Sequence, residues 1–235
     1  IESMYLKGTR NSAGICNKNY GTISYCNSYI YLPRNQLYNS PPEPSQANVG
    51  GICWYNSALI DHCTFDGEMY ANNNSELGGI AANNWNEDDE VRGHITNCIN
   101  YGKLSIFLID GMSWATEIGG IAGTNYGTID YCINEGTISG ECNSSDAMIG
   151  GISAWNCHNS EMRHCLNRGT IEIKALDRNA RAGGVTGFND SALTEHCANE
   201  GPVIVIGSRS VNTNAVIGSH RTDQMDTNYS SSDLD

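Results

Sequence analysis

The chain is poor in the features that many folds and chemistries need. Aromatic residues make up only 8% of its 235 residues, and four of its five prolines crowd into positions 33–44. No apolar run is long enough to cross a membrane. Lys and Arg number 13 against 26 Asp and Glu, for a formal net charge of −13. That balance argues against nucleic acid and anionic membranes as partners, and it is compatible with calcium. Ten cysteines are present, yet no Cys-x-x-Cys pair, which argues against zinc. Leucine ladders and long helical stripes are missing, which sets aside leucine-rich, tetratricopeptide and ankyrin repeats. A regular Thr-x-Thr array, as an ice-binding face would need, is also missing. No signal peptide is visible and the sequence starts at Ile1, so we expect a piece of a longer precursor whose export signals and anchors lie outside it.

What is present is a sentence written about six times. Its clearest copy, Ile118–Ser139, reads IGGIAGTNYGTIDYCINEGTIS. One column is cysteine: Cys26, Cys63, Cys98, Cys132, Cys165 and Cys197, at steps of 37, 35, 34, 33 and 32 residues. A second is the apolar residue after the glycines: Ile15, Ile52, Ile80, Ile121, Ile152 and Val185. Asn100, Asn134, Asn167 and Asn199 follow their cysteines by two residues. A period in the thirties, with short β-branched runs and glycine punctuation, predicts an all-β solenoid of six to seven stacked turns, one strand spacing apart. Ile129 and Cys132 both look like core positions although three residues apart, which requires a bend at Asp130 or Tyr131. Glycines are expected to supply corners, by close approach or positive φ. Corner asparagines are expected to stack as an amide ladder. The six column cysteines read as a buried thiol ladder packing as small hydrophobes. Cys16 and Cys53 share a second core position. Cys142 and Cys157 fall outside the columns, and a disulfide involving either stays open.

Gly-Gly-Ile-Ala-Gly at 119–123, Gly-Thr-Ile at 127–129, Cys-Ile-Asn-Glu-Gly at 132–136 and their copies cover most of residues 13–205. This pattern resembles the GLUG motif family. The resemblance implies a bacterial secreted or cell-surface protein, since the motif occurs in large exported or wall-attached chains, including regions of IgA-specific metalloendopeptidases outside the catalytic domain. It supplies no catalytic residues. The second copy departs from the pattern with Phe65-Asp66, and the first keeps only Gly14 of the Gly-Gly pair.

Residues 1–12 read as a cap or partial turn, 13–221 as the solenoid, and 222–235 as a polar tail or linker. Residues 33–48 are a Pro-rich loop thrown out between turns. The acidic run Asn86–Glu90 reads as a solvated loop, since it lacks calcium-loop spacing. Ser105–Glu117 is unusually apolar, as a longer strand or as a partner patch. Residues 173–181 form a short helical or extended connector. A truncated seventh copy starts at Val216.

Function is expected on the solenoid's edges. Tyr20, Trp54, Tyr55, Trp85, Tyr126, Trp155 and Phe188 all follow the Gly-Gly motif by a few residues. Either these rings cover the corners of the turns, or they stack on sugar faces with Asn and Asp taking the hydroxyls. On the second reading Trp54, Tyr55, Trp85, Tyr126 and Trp155 are the candidate ligand residues. His62, His164 and His196 precede column cysteines and face solvent, which disfavours a Cys-His nucleophile. No Asp column recurs on one strand face, which disfavours a polysaccharide lyase or hydrolase. The expected protein is therefore a non-catalytic adhesin or stalk module, with a carbohydrate-binding module as the alternative. Its expected partners are a host surface protein, mucin or glycan.

Overall fold

Short β-branched runs broken by glycine and asparagine corners give each repeat only one place to bury its apolar face, which is against the next repeat. In the computed structural model the repeats stack in this way as an all-β solenoid of parallel strands. The structure describes residues 11–31, 48–71, 75–88, 91–107, 115–142, 147–175, 180–207, 211–221 and 227–230.

A complete coil runs through five short strands, of which the sixth coil fuses the third and fourth. In the fourth repeat they are Thr116–Gly119, Ala122–Asn125, Thr128–Asp130, Ile133–Asn134 and Ile138–Cys142. Equivalent strands of successive coils pair in parallel, giving sheets of 7, 7, 12 and 5 strands. The third and fourth strands of each coil share the 12-stranded sheet, joined through Leu193–Asn199. The 5-stranded sheet marks five complete coils, and a partial coil stands at each end. Pairing keeps like residues in register: Ile60, Ile95, Ile129 and Met162 stack as one column, each with no exposed surface.

The bend between Ile129 and Cys132 falls at Tyr131, whose φ is 50°. The same left-handed corner recurs at Tyr25, His62, Asn97, His164 and His196, all with φ between 50° and 54°. Each residue there turns its own side chain out, and the next residue, a column cysteine, turns back into the core. The glycines serve the other purpose expected of them, close approach. A Cβ on Gly120 would lie 2.1 Å from the carbonyl oxygen of Gly151 in the next coil and 2.4 Å from Asn134 Cγ. The last coil carries exposed Ala215 at that position, where no further coil follows among the described residues.

Two amide ladders run through the stack. Asn100, Asn134, Asn167 and Asn199 pass Nδ2–H to Oδ1 at 2.7 Å. A second, longer ladder joins Asn19, Asn56, Asn84, Asn125, Asn156 and Asn189 at 2.8–3.0 Å. Phe65 pairs with Asn100 in register and ends the first ladder with a fully buried ring. Cys63, Cys98, Cys132, Cys165 and Cys197 are buried, and Cys26 in the first coil is partly exposed. Their thiols donate to backbone carbonyls, as Cys132 Sγ does to Asp130 O at 3.3 Å. Cys16 and Cys53 pair in register on the second sheet. All nine described cysteines are free, Cys157 among them, and the side chain of Cys142 lies outside the described residues.

Some of the expected loops are strands. Asn86–Asp88, in the acidic run, pairs antiparallel with Val91–Arg92 as a small hairpin. The connector near 173–181 is extended at both ends, in Ile171–Ala175 and Ala180–Gly183. The seventh copy begins earlier than Val216, with Val211–Asn214 on Ala180–Gly183. Within the expected tail, Thr227–Ser230 pairs with Leu193–Asn199, because the last strand of a sheet otherwise leaves its backbone groups unpaired. The cap as far as residue 10, the Pro-rich loop over 33–47 and the apolar stretch 108–114 lie outside the described residues.

Candidate ligand-binding seam

The glycine corner turns the chain so sharply that the outer sides of the first two sheets meet along a seam. Residues seven apart face each other across it, one rung per coil. Asn83 Nδ2 donates to Glu76 Oε2 at 3.0 Å, and Thr124 Oγ1 donates to Glu117 Oε2. Two coils further on, the Arg181 guanidinium lies 4.6 Å from the Phe188 ring centre. Between them Met148, Ala154 and Phe188 form a small apolar cluster against Trp155 and Ala115. At the other end Lys18 Nζ sits 5.3 Å from the Tyr55 ring and 5.4 Å from Trp54.

The aromatic residues line the outer lip of this seam. Tyr20 and Tyr55 are 6.3 Å apart, Tyr55 and Trp85 6.1 Å, and Trp85 and Tyr126 4.4 Å, all tilted. Trp54 touches Tyr55 at 5.9 Å. Four of the five candidate residues, Trp54, Tyr55, Trp85 and Tyr126, therefore belong to one strip that also includes Tyr20. Trp155 stands apart, packed on Phe188 at 6.2 Å, because Cys157 replaces the ring one coil after Tyr126. The rings pack on one another and leave part of their surface open: Tyr20 is 59% exposed, and Tyr55, Trp85 and Tyr126 are half-buried. Three polar atoms on the seam are buried without a hydrogen-bond partner: Trp54 Nε1, Trp155 Nε1 and Asn83 Oδ1.

The electrostatics of the seam are unusual. Glu76 and Glu117 are partners in register on adjacent parallel strands, about one strand spacing apart, ~4.8 Å. Burial, then the charge of Glu76, pushes the Glu117 carboxyl up to about 8. Burial also raises Glu76, against the hydrogen bond from Asn83. Burial raises Tyr126 and Cys157 as well. Neither glutamate was a sequence candidate. A signal existed, since both occupy the same place two residues before a Gly-Gly pair, in Glu76-Leu77-Gly78-Gly79 and Glu117-Ile118-Gly119-Gly120. The other copies carry Asn48, Met148 and Arg181 there, so the column looked random until the seam showed what faces it.

The left-handed corners form a second, exposed edge. Tyr25 stacks on His62 at 4.9 Å, Tyr131 on His164 at 4.6 Å, and His164 on His196 at 5.3 Å, with interplanar angles of 18°, 5° and 8°. Carboxylates flank the imidazoles: Asp61 lies 2.7 Å from His62 Nδ1, and Asp130 lies 3.1 Å from His164 Nδ1. Arg163 pairs with Glu161 and Glu195. The histidines thus face solvent, and the thiols beside them in sequence point into the core. Burial pushes the Cys53 thiol up to about 12 and raises Cys165 well above its ordinary value, so both stay neutral. Among the described residues no group of three or more His, Cys, Asp or Glu side chains is placed to hold a metal ion, and no helix is long and apolar enough to cross a membrane. Comparison with protein-family models, curated proteins and solved structures found no match.

Proposed function

We propose that the chain is a non-catalytic β-solenoid module of a secreted or surface-attached bacterial protein, and that it holds a glycan along the aromatic seam. The observation that carries this reading is the continuous strip Tyr20–Tyr55–Trp85–Tyr126, which crosses successive coils beside orphaned hydrogen-bonding atoms. Partly open rings at coil spacing suit the apolar faces of successive sugar residues. The unpartnered indole N–H of Trp54, beside Tyr55 of the strip, suits a sugar hydroxyl oxygen, which accepts. The GLUG-like repeat and the net charge of −13 support an exported setting.

The test is a glycan and mucin binding array with the whole chain, followed by titration of any hit against Trp85→Ala and Tyr55→Ala. Loss of about 0.5–1.5 kcal/mol of binding per ring, the usual worth of an aromatic contact beyond the area it covers, is the expected result. A blank array, or binding untouched by both substitutions, would leave a spacer or an adhesin that recognises protein through another face.

A further inference from the structure

We infer that the rung formed by Glu76, Glu117, Asn83 and Thr124 is a binding site for one hard divalent cation of the calcium class. This goes beyond the glycan reading and does not depend on it. Glu76 pairs in register with Glu117, and Asn83 pairs in register with Thr124 on the facing sheet. The hydrogen bonds Asn83–Glu76 and Thr124–Glu117 draw the four side chains together from both sides. They present two carboxylates, an amide carbonyl and a hydroxyl, an all-oxygen set of the kind calcium prefers.

Two independent observations point to a ligand there. First, Asn83 is 8% exposed, and its Oδ1 is buried with no donor. Its Nδ2 is committed to Glu76, so rotating the amide would set oxygen against oxygen. Second, the two carboxylates have no cationic partner among the described ion pairs, whose arginines serve Glu161, Glu195, Glu135 and Glu200. Lys18 of the first coil reaches over the Trp54 and Tyr55 rings of the second, and Arg181 sits over the Phe188 ring of the sixth. Their strands lie two strand spacings from that of the nearer glutamate, about 10 Å along the stack, and neither residue appears in an ion pair among the described residues. A water molecule would satisfy the Asn83 carbonyl but would not balance two carboxylates side by side, one buried and one half-buried. A divalent cation does both, and its small size suits Glu117, which is only 9% exposed. The half-buried Glu76 provides the approach from solvent.

Terbium luminescence tests the site directly, because Tb3+ occupies calcium sites and is sensitised by nearby aromatic rings. Trp155 is the register partner of Thr124, and Tyr126 lies two residues beyond it. The expected result is sensitised emission that saturates near one ion per chain and is displaced by calcium chloride. Glu117→Gln and Glu76→Gln should each weaken binding by at least about tenfold, since calcium affinity follows the charge of the ligand set. Asn83→Leu, which keeps both carboxylates, should weaken it as well. Glu68→Gln, a remote carboxylate change, should leave it intact. Circular dichroism would verify that the variants keep their β structure; Asn83→Leu and the two isosteric glutamines disturb the seam in different ways, so the three are not expected to fail to fold together. Absence of sensitised emission in the unaltered chain, or emission equal in folded Glu117→Gln and Glu76→Gln, overturns the inference.

Discussion

Replacing Asn134 with alanine asks whether the amide ladder or the apolar columns hold the coils in register. The Asn134 side chain is fully buried. Its Nδ2 donates to Asn167 Oδ1 at 2.7 Å and to Gly136 O at 3.1 Å, and its Oδ1 accepts from Asn100 Nδ2 at 2.7 Å and Gly136 N at 3.3 Å. Alanine strands Asn100 Nδ2 below and Asn167 Oδ1 above. Gly136 N–H keeps a bond to Asn100 O at 3.0 Å and suffers less. An unsatisfied buried polar group costs about 1–3 kcal/mol, so two of them set the expected loss at about 2–6 kcal/mol. Asn199→Ala is the internal control. Asn199 ends the ladder and accepts from Asn167, whose Nδ2 also has Gly169 O. Only about 1 kcal/mol should be lost there. For a chain of this size, about 2–4 °C per kcal/mol puts the Asn134→Ala midpoint roughly 10 °C below the parent and that of Asn199→Ala only a few degrees below. Thermal and urea unfolding followed by circular dichroism and tryptophan fluorescence would measure both, and coincidence of the two probes would validate the two-state analysis. Equal, small losses at the two positions would refute the reasoning and assign the register to the Ile and Cys columns.

Four further outcomes follow from the geometry. Gly120→Ala places a Cβ 2.1 Å from a backbone carbonyl of the next coil, so it should cost more than about 3 kcal/mol or prevent folding, measured as soluble yield and melting temperature. Tyr25→Gly removes left-handed strain at φ 54° while losing only a surface stack on His62, so it should be neutral or stabilising by up to about 1 kcal/mol in the same assay. Cys63, Cys98, Cys132, Cys165 and Cys197 should resist a thiol reagent until the chain unfolds, whereas Cys16 and Cys26, both partly exposed, should label in the folded state; peptide mapping by mass spectrometry separates the two groups. The Arg163 hydrogen bond holds the Glu195 carboxyl below its ordinary range, and the Asn97 hydrogen bond does the same for Asp61. Their contribution is present above the usual carboxylate range and is lost as the pH falls below it, so amide exchange on the histidine edge should rise selectively in acid after correction for intrinsic rates.

Much of the molecule was legible before any coordinates. Cys132, Ile129, Ile121 and their copies recur because each coil must present the same shape to the next, and a stack in register converts a one-dimensional repeat directly into apolar columns. The spacing of Ile129 and Cys132 even narrowed the bend to Asp130 or Tyr131, and the structure puts it at Tyr131. The same constraint made the first asparagine ladder readable, because its steps of 34, 33 and 32 residues equal the cysteine steps. The second ladder was hidden because its steps of 37, 28, 41, 31 and 33 residues absorb loops of different length that leave the coil cross-section unchanged. The chain's sequence therefore determined the fold class and the inward-facing columns, which packing forces to repeat. Only the tertiary structure decided what lies on the outside, where no packing rule forces one coil to copy another. Glu76 and Glu117 are adjacent because the coils stack in register, and Asn83 and Thr124 face them because two sheets bend onto each other at the glycine corner. The strip from Tyr20 to Tyr126 is continuous because Tyr55, from the neighbouring column, bridges Tyr20 to Trp85 and Tyr126, and Trp155 is separate because Cys157 takes the ring's place in the next coil. Such contacts join residues seven apart within a coil and about thirty to forty apart between coils, and their partners are set by the angle between sheets.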